Sequence, residues 1–499
     1  MRMKSSARRL VQALAVALAW GGARSAQAQN YRQVPIGGRT ATMGGAGTAA
    51  GNDSAMPLLN PAGMAAVPGG VFAVSASVYS YTQRAIPLYF APTGFPPGLG
   101  PVNVTTDTVS SSNVANLPSS VMYFKNLSRA EAPWQQVLGM SLVIPQSPTV
   151  QIQASLRASF PQGPATLADD DTVTTSSTTY YIGPTYAAAY RDWLRLGVSA
   201  HLAYEQVFNA TSTTFNASLD RGTGTLQGQI TNGASASSIA FAPTLGAQVR
   251  VAPHVWLGAA FQPPGLPITG SFDSSGATTT ASTASNGAPA NSSDQQTGHG
   301  VYHYAPPMHV NAGVAYDDRD RFSVAIDGHL YVSRGDAYHQ AGLYRTQVTQ
   351  SGEIARNSTA AITFNDAVET VFDVSIGAEY VLNSIFALRA GVFTDMAADP
   401  SLEHPQLTDA LSLREDRYGV TGGLGIMLGP FDTTLGVVYV RGIGRFVTAD
   451  LSALSQSEVA TVDEQSNTFV FVLSGAVTTE QAQETIRKTF HFNLPGFSQ

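Results

Sequence analysis

Period-two alternation dominates the second half of this chain. In the run 321–333, Phe322, Val324, Ile326, Leu330 and Val332 share one parity, interrupted only by Gly328. Ser323, Asp327, His329 and Ser333 share the other. Successive side chains of a strand point to opposite faces, so each such run is a strand with one apolar and one polar face. From Trp193 onward the unit repeats: a run, a connection, and a next run that often opens on an aromatic. Fourteen candidate strands follow, at 71–81, 119–125, 136–144, 178–190, 193–208, 238–251, 255–272, 305–316, 321–333, 370–382, 385–394, 417–428, 431–440 and 467–477. Tight turns such as Arg191-Asp192 and Asn383-Ser384 alternate with long Ser/Thr/Asn/Gly-rich stretches such as 209–237, 273–304 and 335–368. This pattern predicts an all-β fold: a 14-stranded antiparallel transmembrane β-barrel, apolar outside and polar inside, with short turns and both termini periplasmic.

The N-terminus supports export. Arg2, Lys4, Arg8 and Arg9 precede an apolar stretch from Leu10 to Trp20, and Ala26-Gln27-Ala28 is a cleavage pattern, so residues 1–28 read as a signal peptide. The expected address is the outer membrane of a Gram-negative bacterium. Removing the signal, with five basic residues and no acidic one, takes the net charge from −7 to −7 − 5 = −12. So acidic a chain is a poor match for nucleic acid. Cysteine is absent, which excludes thiol chemistry. No mature run reaches the roughly 18 apolar residues of a spanning helix, a fact that says nothing against a barrel.

Parity also sorts the polar side chains. Charges on the lipid face would cost about 2–4 kcal/mol near the midplane, so the polar parity faces the lumen. That points Arg195, His201, Glu205, Gln248, Arg250, Asn311, Asp327, His329, Asp373, Glu379, Arg389 and Arg417 inward. Aromatics cluster at the tight turns (Trp134, Trp193, Trp256, Phe322, Phe386 and Phe431 after them, Phe124, Tyr190, Tyr316 and Tyr380 before), as an interfacial girdle requires. Trp256 departs from this, because its parity is that of the lumen.

Residues 29–68 carry no alternation. They hold a Gly-rich stretch, Gly37-Gly38 through Gly51, followed by Asn60-Pro61-Ala62. This resembles the N-terminal plug of the FadL/TodX family of outer-membrane transporters for long-chain fatty acids and other hydrophobic compounds. Leu117-Pro118-Ser119-Ser120 and the run 138–145, ending at Pro145, are also similar to the family. The resemblance implies a plug inside the lumen (29–68) and a barrel (69–477); residues 478–499, beyond the last strand, read as a C-terminal periplasmic tail. The tail is a departure from the family, whose barrels usually end on an aromatic that closes the last strand. The resemblance implies passive uptake of hydrophobic molecules, with a lateral exit where the third strand kinks. Asn60, Pro61, Ala62, Pro145 and Pro148 are then the plug and gate residues; prolines cannot donate to a ladder, so the wall near them should be broken. A carboxylate headgroup needs a partner, and with only Lys125 and Lys488 in the mature chain the candidates are Arg195, Arg250, Arg389, Arg417, His201 and His329. The partners expected are hydrophobic small molecules, membrane lipid and lipopolysaccharide, with the barrel a monomer.

Other chemistry finds little footing. Gly45 to Ala50 fits the loose dinucleotide pattern G-x-G-x-x-A, but no apolar strand precedes it. His299 and His303 lie four apart without the glutamate of a zinc protease, and Asp169-Asp170-Asp171 reads as a solvated loop tip. No cofactor or metal is expected, and no enzyme activity. The competing reading is a structural or adhesive barrel whose plug stays shut.

Overall fold

The computed structural model describes residues 30–478 apart from 68, 88, 90–109, 114–117, 129–131, 148, 160–165, 220–223, 284–288, 319, 352, 401, 403–411 and 451–457. The signal peptide, Pro148 and the tail beyond 478 lie outside the described residues.

The chain forms a closed, fourteen-staved antiparallel barrel. Eight staves are single strands: β1 (Val71–Ala85), β6 (Thr166–Tyr190), β7 (Leu194–Leu219), β8 (Gly224–Ala252), β17 (Phe386–Asp395), β18 (Leu413–Leu428), β19 (Phe431–Asp450) and β20 (Glu458–Thr478). Six are broken in two: β2 (Ser110–Asn113) with β3 (Pro118–Asn126), β4 (Trp134–Gln146) with β5 (Thr149–Ser159), β9 (Val255–Gln262) with β10 (Leu266–Thr283), β11 (Pro289–Tyr304) with β12 (His309–Asp318), β13 (Phe322–Tyr331) with β14 (Arg334–Gln350), and β15 (Glu353–Val368) with β16 (Val371–Val381). The first and last staves close the wall, β1 against β20 from Val71–Thr478 to Ala85–Gln465.

Outside, the alternating apolar residues make the lipid-facing band: Leu196, Val198 and Leu202 on β7, and Val324, Ile326 and Leu330 on β13, are exposed. At the tight-turn end Trp134 packs on Tyr190 (ring centroids 4.9 Å apart) and Tyr316 stacks on Phe322 (5.0 Å). Phe124 and Trp256 do not join this girdle; both are buried on the inside. For Trp256 the parity, not the nearness to a turn, decides.

The long polar stretches are a correction to the sequence reading. Most of 209–237, 273–304 and 335–368 is strand, not loop: β7 and β8 pair from Leu194–Val249 to Leu219–Gly224, and β14 pairs with β15. Threonine and serine suit a pleated surface, and beyond the lipid the outer face needs no apolar residue, so the alternation fades while the ladder continues. The proline pairs correct a second expectation. The run 255–272 is two strands, because Pro263 and Pro264 cannot donate to the ladder, and Pro306-Pro307 interrupts the next stave at the same level. Asp169-Asp170-Asp171 is likewise no solvated tip. It lies in β6, with Asp169 and Asp171 buried on the inner face, where burial pushes the Asp171 carboxyl up to about 6.

Candidate functional site

The N-terminal segment, described from Asn30 to Val67, sits inside the wall. Its regular pieces are two single-turn helices, α1 (Arg39–Thr42) and α2 (Met56–Leu59), and a 3-10 turn over Pro61–Ala66. Asp53 organises its first half, accepting from the N–H groups of Gly38 (3.1 Å), Thr40 (2.7 Å) and Ala55 (3.2 Å) and from the Thr40 hydroxyl (2.9 Å). Asn60, fully buried, organises the second. Its Oδ1 caps the 3-10 turn by accepting from Ala62 N–H (3.2 Å). Its Nδ2 donates to the carbonyls of Thr48 (2.7 Å) and of Ala247 on β8 (3.0 Å), so one amide ties two parts of the segment to the wall.

Glycines in the wall make room for that approach. A Cβ at Gly197 would strike the Pro61–Ala62 backbone, one at Gly246 the Asn60 side chain, and one at Gly258 the Thr48 carbonyl. Gly377 and Gly391 face the Met43–Gly44 backbone, and Gly423 faces Thr42. Where β13 passes, the wall offers a carboxylate instead: Asp327 Oδ2 accepts from both Gly47 and Thr48 N–H at 2.7 Å. Arg39 completes the attachment, donating to Glu379 (2.9 Å) and Asp317 (3.1 Å).

A variant tests this clamp. Asp327→Ala leaves two buried N–H groups without an acceptor, a loss of about 1–3 kcal/mol for each. Amide exchange at Gly47 and Thr48 is expected to accelerate at least about tenfold while the β13 ladder stays protected. Unchanged exchange at both amides would show that the carboxylate does not hold the segment.

The six cationic candidates do not converge. Arg389 pairs with Glu379 (2.6 Å) and donates to Thr434 (2.7 Å). Arg417 pairs with Glu415 (3.0 Å) and Asp395 (3.6 Å). Arg195 donates to Gln248 (3.0 Å) with its guanidinium 3.9 Å from the Trp256 ring centroid, a cation–π contact that accounts for the inward tryptophan. Arg250 lies near the Arg191-Asp192 turn, half-exposed and paired with Asp192. His201 meets Ser141 (3.2 Å), and His329 Nδ1 lies 2.6 Å from Asn311 Oδ1.

A cavity of about 70 Å³ lies elsewhere in the lumen, lined by none of the six. Tyr31, Arg32 and Ile36 of the inner segment line it, with Tyr181, Tyr304, Pro306, His309 and Tyr331 of the wall. Of the sequence-derived site residues that are described, only Pro145 reaches it. Tyr31 stacks on Tyr331 (4.2 Å), which stacks on His309 (4.6 Å). Sequence reasoning missed these residues. The Pro306-Pro307 pair was the available signal; Tyr31 and Arg32 lie in a stretch without periodicity and gave none.

Pro145 marks an end in the wall. The β3–β4 ladder stops at Ser120–Val143, and on the other side the β4–β6 register shifts between Val143 and Gln146, around Pro145. Beyond that level β2 pairs with β1 and β5 with β6, and no ladder joins β2 to β5 among the described residues.

No protein-family model and no curated protein matches the chain. Solved structures do. A FadL homologue from Pseudomonas aeruginosa is 14% identical with a TM-score of 0.50, over 89% of this chain and 99% of its own. The toluene transporter TodX of Pseudomonas putida is 14% identical with a TM-score of 0.49, over 89% and 98%. The toluene transporter TbuX of Ralstonia pickettii is 16% identical with a TM-score of 0.46, over 89% and 98%. At such identity the likeness is one of fold, and the fold of this chain is the fourteen-stranded barrel of the FadL homologue.

Proposed function

We propose that this chain is an outer-membrane barrel of the FadL/TodX family that passes hydrophobic molecules inward, with residues 30–67 as its plug and the wall beside Pro145 as a lateral exit. The observation that carries the reading is the position of the cavity: it touches the plug at Tyr31 and Ile36 and the broken wall at Pro145. The apolar exterior supports the membrane setting.

The side chains favour an uncharged cargo over a long-chain fatty acid. A carboxylate brought into a dry lumen needs a cation or several donors, yet the four arginines among the candidates already have partners, and His201 and His329, each with one bonded and one unbonded ring nitrogen, lie outside the cavity lining. Arg32, in the cavity wall, donates to Ser375 (3.1 Å) and the Gly45 carbonyl (3.2 Å). Each buried CH₂ of a neutral cargo is worth roughly 0.8 kcal/mol without such a partner. An apolar cavity of about 150 Å³ accommodates benzene, so at about 70 Å³ this one must widen, and the plug side is where it can.

Because the chain has no cysteine, one engineered disulfide reports cleanly. Ser119→Cys with Ile144→Cys places a staple one step beyond the last β3–β4 pair. Uptake of labelled toluene and oleate into cells is then measured before and after reduction. We expect the oxidised barrel to lose toluene uptake by at least about tenfold and to regain it on reduction, with oleate entering poorly throughout. Full uptake by a demonstrably stapled barrel rules out this exit; oleate preferred over toluene rules out the neutral cargo.

A further inference from the structure

Beyond the lipid band the outer face of the sheet is concave. β6, β7, β8, β10, β11 and β14 run side by side there, and their outward side chains line a groove of about 620 Å³. That volume is typical of ligand sites. Thr214, Gln229, Thr279 and Ser293 stand opposite one another across four strands. Asn216 and Gln227 pair in the next row, and Asn291 continues it. The side chains between them turn inward, with Phe215, Leu226 and Ile230 buried, so the groove has an apolar support and a polar surface.

Its chemistry is narrow. Among the described residues Asp170 is the one ionisable residue of the lining, and Arg157 holds it through two contacts of 2.7 and 2.8 Å. A phosphorylated or acidic ligand therefore finds no free cation among the described residues of the lining. An added peptide strand requires unpaired backbone, whereas here the strands are already paired on both sides. Amide side chains present a donor and an acceptor together, and hydroxyls present both on one atom. That pattern complements adjacent sugar hydroxyls.

Position selects the source. Thr214 and Asn216 share the parity of Leu196, Val198 and Leu202, so the groove continues the lipid-facing surface upward along the same strands. Phe208 is the last exposed large apolar residue of that face on β7, and from it to Thr214 is roughly 20 Å along the strand. We propose that this groove binds the neutral outer sugars of an outer-leaflet glycolipid, lipopolysaccharide, standing beside the barrel. The proposal rests on the outer-membrane part of the preceding reading and not on its cargo.

The test is calorimetric titration of the detergent-folded full chain with a lipid-free, phosphate-free oligosaccharide released from lipopolysaccharide. Two variants accompany it: Gln227→Ala with Gln229→Ala, which removes the amides, and Thr279→Arg, which fills the groove. Saturable binding is expected, weakened at least about tenfold in both variants, since each loses hydrogen bonds or space that the sugar needs. Both variants should keep the heat-modifiable gel mobility of a folded barrel and normal toluene uptake. The proposal is overturned if the unaltered chain gives no saturable heat, if both variants bind as tightly, or if maltoheptaose binds equally well. In the unaltered chain, no oligosaccharide binding with toluene uptake intact strikes the groove alone; no uptake with binding intact strikes the cargo reading alone.

Discussion

Replacing Gly258 and Gly391 together by valine should unseat the N-terminal segment and leave an open pore. A side chain at Gly258 collides with the Thr48 carbonyl, and one at Gly391 with the Met43–Gly44 backbone. Both obstacles are main chain, so a rotamer change does not relieve them. Overpacking of this kind costs about 1–3 kcal/mol at each site, and the two sites bear on the segment from different staves, β9 and β17. The wall itself tolerates valine, whose branched side chain suits a strand. Expected in planar bilayers is a steady ion conductance that the unaltered chain lacks, and in cells a sensitivity to large antibiotics that ordinarily stay outside. A folded variant that remains electrically silent would mean that the segment has another seat.

The largest loss of barrel stability is expected from Arg84→Met. Arg84 is buried between two carboxylates, pairing with Glu464 on β20 and lying 3.4 Å from Glu415 on β18. Arg417 shares Glu415 from the other side. Removing one partner from a buried ion pair typically costs about 3–5 kcal/mol, because the charge left behind stays in a dry site. Adding Glu464→Gln to Arg84→Met should recover a large part of that loss, which separates an ionic role from lost packing. Urea unfolding in lipid vesicles reads both numbers. A single variant within about 1 kcal/mol of the unaltered chain would show that water reaches these carboxylates.

The transmembrane wall was legible because lipid enforces alternation. Wherever a strand crosses the band, as at 322–331, apolar residues hold one parity and the polar ones hold the other. The outer extension was not legible for the same reason. Around Thr214 and Gln229 both faces carry small polar residues, and only Phe215, Leu226 and Ile230 mark the inside. Parity also turned His201, Asp327 and His329 inward, where they are buried. It does not give register, so the meetings of His329 with Asn311 and of Arg195 with Trp256 were invisible until neighbouring strands were aligned. The cavity was hidden twice over, by proline pairs inside apparent strands and by an inner segment whose conformation is set by the wall rather than by its own periodicity.

The attachment of the inner segment also fixes an order of assembly. Asn60 bonds to a carbonyl 187 residues further along the chain, Asp327 reaches back to Gly47 across 280, and Thr421 to Thr42 across 379. The part of the mature chain synthesised first thus finds its place only after staves made near the end have arrived. Contacts so distant in sequence are slow to form, so neighbouring staves pair before the segment is anchored, and the wall itself stays open until β1 meets β20, whose Val71–Thr478 pair is more distant still. Any shortening that removes β18 takes away the Thr421 anchor as well as a stave of the wall.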